Sequence, residues 1–316
     1  MEIEAPELIE LLQDPDPDVR RGAVWALRAL SPGIVLPLLR DARRSGRGLA
    51  RRRALEALLA VGGPDALDDR DRALLRRLIR FQIPAEVPAP MRLCGSWFAL
   101  PTGDRAAVLD AFGLGDPEPV TMRLGGLTWH HDQHDGGGGC PGAAHRACSR
   151  VYVSPVLDGW TLVFGAPSDD QHRIGPGGDD AFEERLRDTM LARTAALSLR
   201  FGTVHWYGMG HRHGMDRADG WTAWIVAANG EVLRYYDAFE PDDQLGRPHP
   251  AEEGRLLPHE RSLADGVESC DARTVAAQAS VDPGALGPHT RVEGHGVVAL
   301  TACGREYGHP RGALEI

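Results

Sequence analysis

Imidazoles and thiols, the side chains that bind zinc, are concentrated in residues 129–148. The segment contains the spacings H-x3-H and C-x4-H-x2-C, and the candidate ligands are His130, His134, Cys140, His145 and Cys148. Zn²⁺ prefers imidazole and thiolate ligands, and a bound ion would order a loop that holds four consecutive glycines. A metal-free surface loop of biased composition explains the same residues. Zinc is therefore the cofactor to test, and we otherwise expect none.

A second group of histidines lies on and after the predicted strand Thr203 to Tyr207. His205 belongs to the strand, and His211 and His213 belong to the glycine-containing loop that follows. An imidazole titrates near neutral pH and can serve as a general base. A structural role for a histidine on a half-buried strand is the alternative.

Carboxylates and further histidines are dense between residues 237 and 260. Asp237, Glu252 and His259 are candidates to hold a metal ion or to share acid and base roles. Prolines flank these clusters, so an extended, solvated loop explains the same residues. Together with the histidines of 205–213, they predict one alternative function, a small hydrolase- or cyclase-like enzyme with or without zinc.

Residues 40–53 form a basic run, with seven arginines and a single acid. The arginines predicted to bind are Arg43, Arg44, Arg47 and Arg51. Guanidinium groups bind carboxylates and phosphates through paired hydrogen bonds. The run therefore predicts a site for an acidic partner, with a merely solvated arginine face as the alternative.

Tryptophan and tyrosine recur on three neighbouring predicted strands in the C-terminal part. Trp206, Tyr207, Trp221 and Tyr235 are predicted to contact a partner, together with His211 and His213 of the loop. Aromatic side chains favour protein contacts because they bury a large area at low entropy cost. A purely structural role, with all of them in the core, explains the pattern equally well.

The charge balance narrows the partner class and the compartment. The 316 residues carry 35 basic and 45 acidic side chains, a net charge of −10, and every basic residue is arginine. An acidic surface repels phosphates, so we expect a protein partner rather than nucleic acid. The absence of lysine excludes lysine-based catalysis. Five cysteines without a disulfide pattern, an acidic N-terminus and short apolar runs predict a cytoplasmic protein with no membrane contact.

The elements that must position these residues begin with an internal repeat. Residues 20–30 and 51–61 share a pattern of apolar residues at spacings of three and four, with an offset of 31 residues. Further helices are predicted over 32–43 and 69–80. Before the first copy, prolines stop one helix and an aspartate caps the next.

The segment LLQDPDPDVRRGAVWALRAL resembles a HEAT-type repeat, in which an Asp-Val-Arg turn precedes a helix carrying A-x-x-A-L. The resemblance covers residues 1–80 and implies stacked pairs of helices that bind protein. A plain helical bundle is the alternative.

Residues 81–92 contain three prolines and predict a linker, after which the pattern changes to short strands. The strongest local signal is Asn229-Gly230, which predicts a hairpin between two strands. Val120 to Trp129 is predicted to be another strand. An α+β domain over 93–283, a mostly antiparallel sheet with helices on one face, is thus predicted, followed by a Gly-, Pro- and His-rich tail over 284–316.

GWTLVFG and the Arg234 to Asp237 segment resemble uncharacterised proteins of an actinobacterial type, which implies a bacterial source and no particular activity. The favoured function is a non-catalytic protein-binding module, either an adaptor or an immunity-type protein. The enzyme described above is the alternative.

Overall fold

A computed structural model describes residues 4–62, 66–134, 149–165, 180–210, 221–260 and 269–307. For residues 134, 180–186 and 307 this description covers the backbone alone. The chain divides into two compact units. The N-terminal unit runs to Phe81, and the second unit begins at Gln82.

The N-terminal unit is helical, as the repeat predicts. Its helices are α1 Ala5–Leu11, α2 Pro17–Ala29, α3 Pro32–Ser45, α4 Leu49–Gly62 and α5 Asp69–Gln82. Proline lies in the first turn of α1, α2 and α3, where its missing N–H costs no hydrogen bond. The Asp16 carboxylate caps α2 by accepting a hydrogen bond of 2.8 Å from the backbone N–H of Asp18.

The helices of this unit stack as two successive pairs. The pairs are α1 with α2 and α3 with α4, while α1 also packs on α3 and α2 on α4. Leu27, Val35, Leu39 and Leu58 form the centre of the shared core and are almost completely buried. The spacings of three and four therefore bury one stripe of each helix, as predicted.

The second unit is built on one antiparallel sheet whose strands differ in length. Its described strands are β1 Gly95–Leu100, β2 Gly115–Val120, β3 Arg150–Leu157, β4 Trp160–Phe164, β5 Thr203–Gly210, β6 Trp221–Ala228, β7 Glu231–Asp237, β8 Leu245–Gly246, β9 Val292–Glu293 and β10 Gly296–Leu300. They are ordered β2-β10-β3-β4-β1-β5-β6-β7-β8, with β9 paired to β3. The Asn229-Gly230 hairpin between β6 and β7 is present, and Asn229 adopts the positive φ of 50° that this turn requires.

Helices cover both faces of this sheet, whereas the sequence predicts helices on one face. The helices are α6 Arg105–Ala111, α7 Met122–His134, α8 Asp180–Phe201, α9 Ala272–Ala279 and α10 Ala302–Tyr307. One face buries Phe98 and Ile225 against α6 and α8. The opposite face carries α7 over β3 and α9 over β5 and β6.

Two predictions for this unit are wrong. The sequence predicts a strand over Val120 to Trp129, but Met122–His134 forms α7. The Glu86 carboxylate accepts hydrogen bonds from the first backbone N–H groups of α7, those of Met122 and Arg123, at 2.5 and 2.9 Å. A distant residue therefore caps this helix. Residues 284–316 were expected to form a separate tail, but β10 lies inside the sheet between β2 and β3.

Candidate protein-binding surface

The basic run lies at the end of α3, in the turn and at the start of α4. Of its four arginines predicted to bind a partner, two are exposed and two form contacts within the unit. Arg44 is exposed, with 70% of its side chain accessible, and its guanidinium lies 4.0 Å from Asp68. Arg47 is also exposed, beside the turn residue Gly48 with its positive φ of 48°. Both side chains are therefore accessible at the surface of the unit.

Arg43 and Arg51 instead hold the repeat together. The Nε and Nη2 of Arg43 donate to Asp71 Oδ1 of α5 at 2.9 and 2.7 Å, and only 13% of the Arg43 side chain is exposed. Arg51 Nε donates to the carbonyl oxygen of Arg43 at 3.1 Å, which ties α4 to α3. The prediction that Arg43 contacts a partner is therefore corrected, because all three of its guanidinium nitrogens donate inside the unit. Arg51 uses its Nε inside the unit and is partly exposed, so its contact with a partner stays a prediction.

Large apolar side chains are also exposed on the N-terminal unit. Trp25 of α2 is 74% exposed, and Ile34 of α3 is 61% exposed. Exposed tryptophan and large aliphatic residues are typical of protein contact surfaces. Trp25, Ile34, Arg44 and Arg47 are thus exposed apolar and basic side chains of this unit, and we call this set of residues the repeat surface.

The predicted aromatic contact residues of the second unit lie in its core. Trp206 and Tyr235 are 7% and 4% exposed and pack under α8, whereas Tyr207 is completely buried on the opposite sheet face. Trp221 is half-buried, and its indole N–H donates to Asp237 Oδ1 at 2.9 Å. The prediction that Trp206, Tyr207 and Tyr235 contact a partner is therefore corrected, because all three side chains are buried. Their alternating directions place them on two faces that are both covered.

An aromatic row that the sequence did not reveal crosses the sheet at Tyr207. Cross-strand pairing aligns one ring from each of six neighbouring strands on the same face, all fully buried. In sheet order they are Tyr152, Phe164, Trp97, Tyr207, Trp224 and Tyr236. Trp224 stacks on Tyr236 with ring centroids 4.3 Å apart, and Trp97 lies 5.2 Å from Tyr207. Register alone creates this row, because its members are far apart in the sequence.

His205 lies beside this row in a closed hydrogen-bond network. Its Nδ1 is 3.0 Å from the Tyr207 hydroxyl and its Nε2 is 3.2 Å from Thr203 Oγ1, and the Tyr207 hydroxyl lies 3.0 Å from Ser280 Oγ. Burial, reinforced by the nearby His249, lowers the pKa of His205 to about 4. The imidazole is therefore neutral at pH 7, and both ring nitrogens are within hydrogen-bond distance of a neighbouring hydroxyl. This geometry supports a structural role.

The acid–base candidates Asp237, Glu252 and His259 each bind a different partner. Glu252 forms a buried, bidentate ion pair with Arg234, with both N–O distances at 2.8 Å. His259 Nδ1 lies 3.0 Å from the Tyr236 hydroxyl, and Asp237 accepts from Trp221. Among the residues with described side chains, no group of three His, Cys, Asp or Glu is arranged to hold a metal ion.

Cys270 is a completely buried thiol close enough to Glu252 to feel its charge. Burial and the neighbouring carboxylates of Glu252 and Asp271 raise its pKa to about 12. Because the thiolate is the nucleophilic form, Cys270 is unreactive at neutral pH.

The predicted zinc segment is only partly described. His130 lies on α7, as does the backbone of His134, whereas Cys140, His145 and Cys148 lie outside the described residues. On the same helix, Asp132 forms a buried ion pair with Arg150 of β3 at 2.6 Å, which fastens α7 to the sheet. The zinc site stays a prediction.

His211 and His213 also lie outside the described residues. The strand ends that flank them, Gly210 and Trp221, are paired with each other, and Gly210 belongs to the same end of the sheet as Arg150. The two histidine-rich segments therefore leave the described chain at one end of the sheet.

Comparison with known proteins finds a family match within the N-terminal unit. Residues 5–77 match the family model of HEAT repeats. No curated protein and no solved structure matches the chain. HEAT repeats are commonly protein-interaction modules, which is consistent with a binding role.

Within the described part of the chain, no helix combines the length and the apolar character needed to cross a membrane.

Proposed function

We propose that the protein is a non-catalytic, protein-binding module of the adaptor or immunity type, and that the repeat surface contacts its partner. The observation that carries this proposal is the HEAT-repeat unit itself, with Trp25, Ile34, Arg44 and Arg47 directed to solvent. Exposed apolar side chains and exposed guanidinium groups are suited to contact with a protein that has an acidic face.

The charge distribution also supports a protein partner. Residues 1–80 contain 15 arginines and 13 acids, so the acidity of the chain belongs to the rest of the sequence. An arginine-containing surface that is close to neutral overall attracts carboxylates locally, but it lacks the continuous positive charge with which proteins bind DNA.

The alternative of a small His/Asp/Glu enzyme has less support. His205 is buried and neutral, and Glu252 is paired with Arg234. Metal analysis of tag-free, full-length protein separates the two proposals. Stoichiometric zinc that is lost in a Cys140→Ser, Cys148→Ser variant would favour the enzyme.

The binding proposal is tested by affinity capture with the full-length chain from its native host. We expect one stoichiometric partner, retained by wild type and lost by the double charge reversal Arg44→Glu, Arg47→Glu. The matched control is Arg123→Glu, Arg247→Glu, two exposed arginines of the second unit. If the control variant loses the partner and the Arg44, Arg47 variant retains it, the repeat surface is not the contact site.

A further inference from the structure

Helix α5 exposes three large apolar side chains to solvent. Leu74, Leu78 and Phe81 are 37%, 46% and 67% exposed. Their spacings of four and three place them on one side of the helix, over about two turns. Along one edge of this exposed stripe, Leu75 packs against the core of the unit and Asp71 is buried against Arg43.

The repeat pattern indicates what kind of element fits this stripe. In the second pair, Val35 and Leu39 of α3 are fully buried in the core that α3 shares with Leu58 of α4. Helix α5 follows the second pair, and the HEAT match extends into it as far as residue 77. It is followed by a single turn of 3-10 helix, Ile83–Ala85, and then by proline-containing coil up to β1. The next residues along the chain therefore do not supply a second helix for α5.

The charges beside the stripe indicate what kind of helix would pack on it. Exposed Arg70, Arg77 and Arg80 line one flank of the stripe, and residues 72–82 contain four arginines and no acid. The guanidinium of Arg77 lies 5.4 Å above the Phe81 ring, which holds it beside the apolar surface. A helix that packs on the stripe would place its own flanking residues against these guanidinium groups.

We propose that α5 docks an acidic amphipathic helix of a partner protein, which completes the third helix pair of the repeat unit. The apolar residues of the partner pack on Leu74, Leu78 and Phe81, and its Asp and Glu residues pair with Arg77 and Arg80. The inference rests on the proposed binding function and identifies the chemistry of the partner. Its recognition mode is a helix in an apolar groove, with arginine–carboxylate pairs at the rim.

The direct test uses the full-length chain and a defined probe. The probe is a fluorescein-labelled, 16-residue helical peptide with leucines at spacings of four and three on one face and glutamate elsewhere. The control peptide replaces every glutamate by lysine. We expect saturable binding of the glutamate peptide by fluorescence anisotropy, weakened severalfold between low and physiological salt because the rim pairs are screened. The lysine peptide should not bind.

Variants locate the site of binding. Leu74→Gln, Leu78→Gln should weaken the glutamate peptide at least tenfold, because it removes the central apolar contacts. The matched control is Leu199→Gln, a leucine of the second unit that is 72% exposed. Circular dichroism confirms that the variants fold. Equal binding of both peptides, no binding by wild type, or no effect of the Leu74, Leu78 variant would overturn the proposal.

Two further measurements separate other occupants of the stripe. Wild type that elutes as a dimer and Leu78→Gln that elutes as a monomer would show that a second copy covers α5, which contradicts the proposal. Capture of the native partner distinguishes this inference from the proposed function. If Arg44→Glu, Arg47→Glu loses the partner but Leu74→Gln, Leu78→Gln retains it, the binding function stands and the α5 site is wrong.

Discussion

Removal of the Glu252 carboxylate should destabilise the second unit more than any surface charge substitution does. The side chains of Arg234 and Glu252 are only 4% and 5% exposed, and two N–O contacts of 2.8 Å join them. Glu252→Ala leaves the guanidinium buried without its counter-charge. Loss of one partner from a buried ion pair costs about 3–5 kcal/mol.

The surrounding contacts refine this magnitude. Arg234 Nη2 also donates to Gln244 Oε1 at 2.6 Å and Nη1 to the carbonyl oxygen of Leu245 at 3.5 Å, so the guanidinium keeps two acceptors in the variant. Glu252 Oε1 also accepts the backbone N–H of His249 at 3.1 Å, and this bond is lost. Because these two effects oppose each other, the expected cost stays within the range of about 3–5 kcal/mol for a broken buried pair.

The assay is equilibrium denaturation in urea, followed by tryptophan fluorescence. Six of the seven tryptophans lie after residue 81, so a Trp25→Phe background makes the signal specific to the second unit. The control is Asp110→Ala, which breaks the exposed Arg200–Asp110 ion pair and should cost less than about 1 kcal/mol. The double variant Arg234→Met, Glu252→Leu should recover at least half of the lost free energy, because no unpaired charge remains buried.

Two outcomes would refute this reasoning. One is a cost for Glu252→Ala that is no larger than that of Asp110→Ala. The other is a double variant as unstable as the single variant, since the penalty would then not come from the orphaned guanidinium.

Three further predictions follow from the same structure. Between pH 6.5 and pH 4, His205 binds a proton in the unfolded chain but not in the folded one, so the free energy of unfolding should fall on acidification by up to about 3 kcal/mol. His205→Gln should flatten this decline in denaturation curves measured at successive pH values. An unchanged slope in the variant would contradict the burial argument. A Cβ at Gly125 of α7 would lie 2.2 Å from the Tyr152 ring, so Gly125→Ala should lower the free energy of unfolding by about 1–3 kcal/mol. By contrast, nothing lies within 4 Å of a Cβ at Gly22 in α2, so Gly22→Ala should stabilise its unit by about 0.5–1 kcal/mol in thermal unfolding.

Local signals were sufficient for the N-terminal unit. Prolines, the Asp16 cap and apolar residues at spacings of three and four predict its helices, and the HEAT match confirms the repeat. These signals succeed because each helix is defined by neighbours within about one turn. The division of the arginines could not be predicted in the same way. Arg43 pairs with Asp71, which is 28 residues away, while its neighbour Arg44 faces solvent.

The α+β class of the second unit was also predictable, since alternating apolar residues and the Asn229-Gly230 turn indicate strands directly. Which residues converge was not. The row that runs from Tyr152 to Tyr236 depends on strand order and register across six strands. The Arg234–Glu252 and Asp132–Arg150 pairs likewise form only once a strand has met the segment that covers it.

Helix α7 shows most clearly what the tertiary structure decides. Two adjacent glycines at 125 and 126 argue locally against a helix, so residues 120–129 resemble a broken strand. In the fold, the Tyr152 ring occupies the space beside Gly125, and the distant Glu86 carboxylate satisfies the first N–H groups of the helix. The sequence by itself determines which segments can be helices or strands, because that preference is local. Only the packed structure decides where a carboxylate, a ring or a missing side chain is needed, because those partners come from other parts of the chain.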